Sequence, residues 1–197
     1  MVKINIDTNY MTTIKEEKST VRKCMLQLLR AQHPDERQHK SEQIRKKVLD
    51  LIEVQRIQIV MLYVSDQFEV ETHQLINTLL ANGKRVVIPY VDSLKNIIPC
   101  EINDLDGDTE MSPYGYREPR PDRRVSVSSD ELQLIVIPGV AFDRNGNRLG
   151  RGWGCYDRFL AGISTHIPRI GIAFDFQVIP SVPVAQTDFL CTDIIAN

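Results

Sequence analysis

The residues best suited to chemistry lie in one segment, FDRNGNRLGRGWGCYDRFL, residues 142–160. Gly146, Gly150, Gly152 and Gly154 fall within nine residues, with Arg144, Arg148, Arg151 and Arg158 set among them. Glycines permit positive φ and close backbone approach, so amides can converge on an anion. Arginines offer bidentate charge to phosphate oxygens. A helical pattern begins just after the last of these glycines, and its amino-terminal dipole adds to the attraction. Residue types and spacing therefore propose a phosphate site. Asp157 can contribute a carboxylate to Mg²⁺, which keeps waters and phosphate oxygens as its other ligands. The spacing is neither GxxxxGK[ST] nor GxGxxG, so the P-loop and the dinucleotide fingerprint do not apply. The alternative is a Gly-rich surface turn with an acidic helix start.

Such a loop needs a frame. Residues 15–31 carry Val21, Met25, Leu28 and Leu29 at helical spacing. Residues 34–54 open on Pro34 with Asp35 and Glu36, a helix start, and carry Ile44, Val48, Leu51 and Ile52 as an apolar stripe. From residue 57 the pattern changes. Short β-branched apolar runs at 57–64, 85–91, 132–142 and 169–175 read as buried strands. Helices are predicted over 71–84 and 156–164, a last short strand at 193–197, and irregular chain over 97–120. Strands alternating with helices give an α/β fold with a mainly parallel sheet. Ligands of such sheets sit at the carboxyl ends of the strands, here after Val64, Val91, Phe142 and Asp175.

Composition narrows the classes. The chain has 197 residues, enough for one well-buried domain. Lys plus Arg is 24 against 26 Asp plus Glu, a net charge of -2. That balance argues against a nucleic-acid binder that works by bulk charge. No apolar run approaches the roughly 20 residues of a membrane span. Residues 1–14 are too polar for a signal peptide and read as a flexible or loosely attached extension. Cys24, Cys100, Cys155 and Cys191 form no CxxC pair, which points to reduced thiols and a cytoplasmic protein. His33, His39, His73 and His166 show no metal spacing, and there is no nucleophile elbow for a hydrolytic triad.

Several blocks in a fixed order resemble one family. Residues 137–160 are similar to PGxxFDxxGxRLGxGxGYYDxxL. Residues 18–22 (KSTVR), 65–76 (SDQFEVETHQLI), 83–89 (GKRVVIP), 114–119 (YGYREP) and 170–174 with Gln177 look like further blocks of the same pattern. Together they resemble the 5-formyltetrahydrofolate cyclo-ligases, also called methenyltetrahydrofolate synthetases, over residues 18–193. The resemblance implies a single domain over 1–197, a three-layer α/β/α fold with a mainly parallel central sheet, Rossmann-like and of the NagB/RpiA/CoA-transferase type. It implies closure of 5-formyltetrahydrofolate to 5,10-methenyltetrahydrofolate, with ATP and Mg²⁺ as cofactors and release of ADP and phosphate. Phosphorylation of the formyl oxygen would make it a leaving group for attack by N10.

Residue roles follow from the same resemblance. Lys18 and Arg22, one helical turn apart, match a basic pair for ATP phosphates. Arg148, Leu149, Gly150, Arg151, Gly152, Trp153, Gly154, Cys155 and Tyr156 match the nucleotide loop, with Arg148 and Tyr156 nearest the reacting groups. Val64, Glu69 and Tyr114 match the folate contacts, and Asp157 with Asp188 the Mg²⁺ ligands. Arg117, Arg120, Arg123 and Arg124 cluster as candidates for a polyglutamate tail. The implied partner is the small-molecule folate, with or without that tail, and the implied state a monomer or weak homodimer with no nucleic acid or membrane. Two positions depart from the pattern: Cys155 replaces the first Tyr of GYYD, and Trp153 stands where the family has Gly or Lys. A non-catalytic folate- or nucleotide-binding relative is the alternative those changes leave open.

Overall fold

The computed structural model describes residues 8–113 and 115–197, with side chains from Thr13 onward. Two long helices lead, α1 (Thr8–Ala31) and α2 (Pro34–Val54). Pro34 opens α2 because its missing N–H is unneeded in the first turn, and Asp35 and Glu36 follow at the positive end of the dipole. Its stripe of Ile44, Val48 and Ile52 is buried, as the periodicity predicts. Helix α1 begins at Thr8 rather than near residue 15.

The strands follow as β1 (Ile59–Met61), β2 (Arg85–Val91), β3 (Ile97–Ile102), β4 (Thr109–Met111), β5 (Arg117–Pro119), β6 (Val125–Ser126) and β7 (Leu134–Ile137). Next come β8 (Ala141–Phe142), β9 (Arg148–Leu149), β10 (Arg169–Ala173) and β11 (Asp193–Ala196). Helix α3 (His73–Ala81) links β1 to β2, and the short α4 (Cys155–Leu160) precedes β10. The central sheet runs β11-β10-β7-β1-β2-β3-β6. Its first five strands pair in parallel, and β3 and β6 extend one edge in antiparallel ladders.

Side-chain alternation divides the core. Val60, Leu62, Val86, Ile88, Leu134, Val136, Ile170 and Ile172 point to one face, against α2 and α3. Met61, Val87, Ile135, Ile137 and Ala173 point to the other, against Leu160 of α4 and the chain after it. Period-2 strands covered on both faces give the expected three layers.

Three expectations need correction. Residues 97–120 are not irregular, since β3, β4 and β5 lie there. Pro99 hid β3, because proline argues against a strand; it sits opposite Pro89, so the two residues without an N–H share one rung. Residues 132–142 are not one strand. The chain leaves the sheet after Ile137, and Ala141–Phe142 pairs instead with Arg148–Leu149 as a small hairpin. The helix predicted over 156–164 is the single turn-and-a-half of α4, which ends at Leu160.

Candidate functional site

Strands β1 and β7 are neighbours, and the chain leaves them toward opposite edges of the sheet, to β2 from β1 and to β10 from β7. A crevice forms at such a reversal. The segments after β1 (62–72) and after β7 (138–154) meet there, and α1 crosses them.

Arg148 is the most buried cation of the site, its side chain 3% exposed. Its guanidinium donates to Asp157 Oδ1 at 2.9 Å and to the Pro138 carbonyl at 3.3 Å, and lies 5.7 Å from the Tyr156 ring. Arg148 Nε and Tyr156 Oη are buried without a hydrogen-bond partner. A buried polar group left unpaired costs about 1–3 kcal/mol, so two such atoms on side chains that neighbour each other mark a place suited to a polar ligand. Burial, together with the Glu69 charge and against that of Arg148, raises the Tyr156 hydroxyl well above its usual value, so it is a donor at neutral pH.

Two glycines shape the loop. A Cβ at Gly150 would sit 2.7 Å from the Arg148 guanidinium, and Gly152 holds φ +102° with Arg22 directly beside it. Arg22 Nε donates to the Gly150 carbonyl at 2.9 Å, and Lys18, one turn earlier on α1, pairs with Asp188. The Asp188 carboxylate also accepts from the Ala185 amide at 2.8 Å. Helix α1 thus places Arg22 against the loop and Lys18 against Asp188.

Glu69 lies across the crevice, its side chain 17% exposed. Arg151 donates to Glu69 Oε1 at 3.0 Å and pairs with Asp66. Burial pushes the Glu69 carboxyl above the usual carboxylate range, and the Arg151 charge opposes that shift. Val64 is buried in the core beside this segment. Tyr114 lies outside the described residues. Leu149 joins the crevice only through its backbone, because its side chain packs with Met25, Val140, Ala141 and Val182.

Trp153 is 51% exposed, with the Lys95 ammonium 4.3 Å above its ring. Arg158 donates to the carbonyls of Trp153 and Lys95, at 3.1 and 2.7 Å, and so clips the β2–β3 turn to the loop. Cys155 is half-buried behind it. Sequence reasoning missed Asp66 and Lys95, and it read Arg158 as a phosphate-type arginine where the structure has it bonding the Trp153 and Lys95 carbonyls. Only Asp66 had a signal, an acid three residues before Glu69. Lys95 and Arg158 act through sheet topology, which no local pattern shows. In the basic cluster at 117–124 four arginines share three carboxylates: Arg117 pairs with Asp106, Arg120 and Arg123 with Asp122, and Arg124 with Glu118.

Among the described residues no three His, Cys, Asp or Glu side chains group closely enough to cage a metal. The Asp157 carboxylate accepts from the Phe189 amide at 3.4 Å, beside Asp188; one or two carboxylates are enough for an ion of the Mg²⁺ kind, whose other ligands are phosphate and water. Also among the described residues, no helix is long and apolar enough to cross a membrane.

Comparison with known proteins agrees with this geometry. The sequence pattern of the 5-formyltetrahydrofolate cyclo-ligase family matches residues 14–197. The 5-formyltetrahydrofolate cyclo-ligase of Mus musculus is 29% identical over 192 residues, covering 93% of this chain and 95% of the mouse protein. Among solved structures, a 5,10-methenyltetrahydrofolate synthetase from Aquifex aeolicus superposes with a TM-score of 0.80 at 28% identity, over 91% of this chain and 89% of its own. One from Mycoplasma pneumoniae gives 0.74 at 26% identity, over 90% and 97%. A glycine loop seated over a buried arginine, a facing carboxylate, the sheet that carries both and the family match over residues 14–197 lead to one assignment: the chain belongs to the 5-formyltetrahydrofolate cyclo-ligase family.

Proposed function

We propose that the protein closes 5-formyltetrahydrofolate to 5,10-methenyltetrahydrofolate, driven by ATP with Mg²⁺. The observation that carries this reading is the contact between Arg151 and Glu69. It brings the phosphate-type loop and the carboxylate matched to folate binding into one crevice across 82 residues of chain.

In this reading Lys18, Arg22 and the backbone of residues 148–156 take the nucleotide, and Val64, Glu69 and Tyr114 take the folate. The Glu69 carboxylate accepts from the N–H donors of the pterin edge. Asp157 and Asp188 would hold Mg²⁺, which neutralises phosphate charge when bound. Both carboxylates are paired with cations, Arg148 and Lys18. Phosphate oxygens can replace them on those cations and free them for the ion, so binding exchanges partners and leaves no buried charge unpaired.

The chemistry needs little covalent help. The formyl oxygen takes the γ-phosphoryl group as ADP leaves, N10 then bonds to the formyl carbon and gives up its proton to solvent, and the C–O bond breaks to release phosphate. Arg148, still held by the Pro138 carbonyl once Asp157 turns to the ion, presents its unpartnered Nε to the charge that builds on the transferring group. Tyr156, neutral at working pH, donates its hydroxyl beside it. Positioning and charge stabilisation account for most of the barrier in phosphoryl transfer.

The test is product identity with stoichiometry. Purified protein supplied with 5-formyltetrahydrofolate, ATP and Mg²⁺ should form one ADP per methenyl product, separated by chromatography. Binding of both ligands without product would instead favour the non-catalytic relative, with Trp153 and Cys155 as the first residues to revert toward the family pattern.

A further inference from the structure

Arg151, half exposed, turns across the crevice to two carboxylates, Asp66 and Glu69. Those two are built as a unit. Asp66 Oδ1 accepts from the amides of Phe68 at 2.8 Å and Glu69 at 3.1 Å. Glu69 Oε2 accepts in return from the Asp66 amide at 3.1 Å. Glu69 therefore has one oxygen held by its own segment and one, Oε1, held by a residue of the glycine loop.

We propose that Asp66 and Arg151 are positioning residues for Glu69 and that, through Arg151, the nucleotide loop decides when Glu69 can receive the folate. The inference rests on the function proposed above. Without nucleotide, a pterin donor must compete with Arg151 for Oε1. A phosphate on the loop offers Arg151 a more highly charged partner and draws it away from Glu69. Asp66 then keeps Glu69 in place through the amide contacts, with Oε1 turned to the folate. Nucleotide and folate should therefore bind with positive coupling, and linkage requires the coupling to be equal in both directions.

The experiment is calorimetric titration of the whole protein with 5-formyltetrahydrofolate, with and without a non-hydrolysable ATP analogue and Mg²⁺. The wild type should bind the folate at least about fivefold more tightly with the analogue, within the usual range for coupled sites. Arg151→Gln should bind the folate without analogue as tightly as the wild type does with it, and its coupling factor should fall to within twofold of one. Arg151 is 52% exposed, so the variant keeps the fold. Asp66→Ala should raise KM for folate with kcat little changed. Asp66→Asn, which keeps the Oδ1 acceptor, should restore most of that KM. A wild type that binds both ligands with a coupling factor of one, or an Arg151→Gln protein with wild-type coupling, would overturn this inference and leave the cyclo-ligase reading standing. A wild type that binds neither ligand would overturn both.

Discussion

Single side chains carry the chemistry, and their environments set testable consequences. Arg148 is buried, fixed at two points and still has an unpartnered Nε. Arg148→Ala should lower kcat by about 100- to 1,000-fold, the usual effect of removing one preorganised charge donor, while thermal unfolding shows a folded protein. In the proposed reaction Glu69 works as a carboxylate, and burial raises its pKa above the usual 4.5. As pH falls, its charge is therefore lost earlier than that of an exposed glutamate. Folate kcat/KM should show an acidic limb above the ordinary carboxylate range. Glu69→Gln should remove that limb and raise KM at neutral pH. For folate binding measured without nucleotide, the acidic midpoint should lie at higher pH in Arg151→Gln, since the opposing positive charge is gone. Arg148 was legible in the sequence as part of a long, specific block, and Glu69 as part of a shorter block that is weak alone and useful only in order with the others. Trp153 and Cys155 were legible only as departures. Their surroundings, Lys95 over the indole and Arg158 at the carbonyl, come from a hairpin some 60 residues away in the chain.

Elements hold those residues in place through a few tight contacts. The glycine loop hangs from the β8–β9 hairpin, and the hairpin is anchored by the fully buried Phe142. A Cβ at Gly171 of β10 would meet the Phe142 ring at 2.5 Å and Ile194 at 2.9 Å. Gly171→Ala should therefore lower stability by about 1–3 kcal/mol through overpacking, read as a lower denaturation midpoint. Arg148 follows Phe142 by one hairpin, so kcat should fall as well. A drop in stability with kcat intact would show that the hairpin moves independently of the ring. The helices at 34–54 and 71–84 could be read from periodicity, to within a few residues at their ends. The broken strand at 132–142 could not, because an apolar run says nothing of where the sheet ends. Nor could β3, whose central proline conceals a strand on the antiparallel side.

The whole molecule is a sheet with two unlike covers. Helices α1 to α3 close one face, while the short α4 and connecting loops close the other. Ile44 and Val48 of α2 are fully buried against the sheet, remote in sequence from every site residue. Ile44→Ala should cost about 2–5 kcal/mol by leaving a cavity and lower the melting temperature with KM for both substrates unchanged. Helix α1 does two jobs: Leu29 packs on the sheet, while Arg22 reaches the loop and Lys18 reaches Asp188. Its role in the site was legible only through the resemblance, since a lysine-rich helix face alone reads as solvated charge.

The account rests on one claim, that the crevice between β1 and β7 joins a nucleotide and a folate for reaction. Absorbance at the long-wavelength band of methenyltetrahydrofolate tests it directly, with 5-formyltetrahydrofolate and Mg²⁺ present and ATP added last. The account predicts a rise that begins with ATP, is nearly lost in Arg148→Ala, and needs more folate in Glu69→Gln. A rise that needs no ATP, or no rise from a folded protein that binds neither ligand, would contradict it.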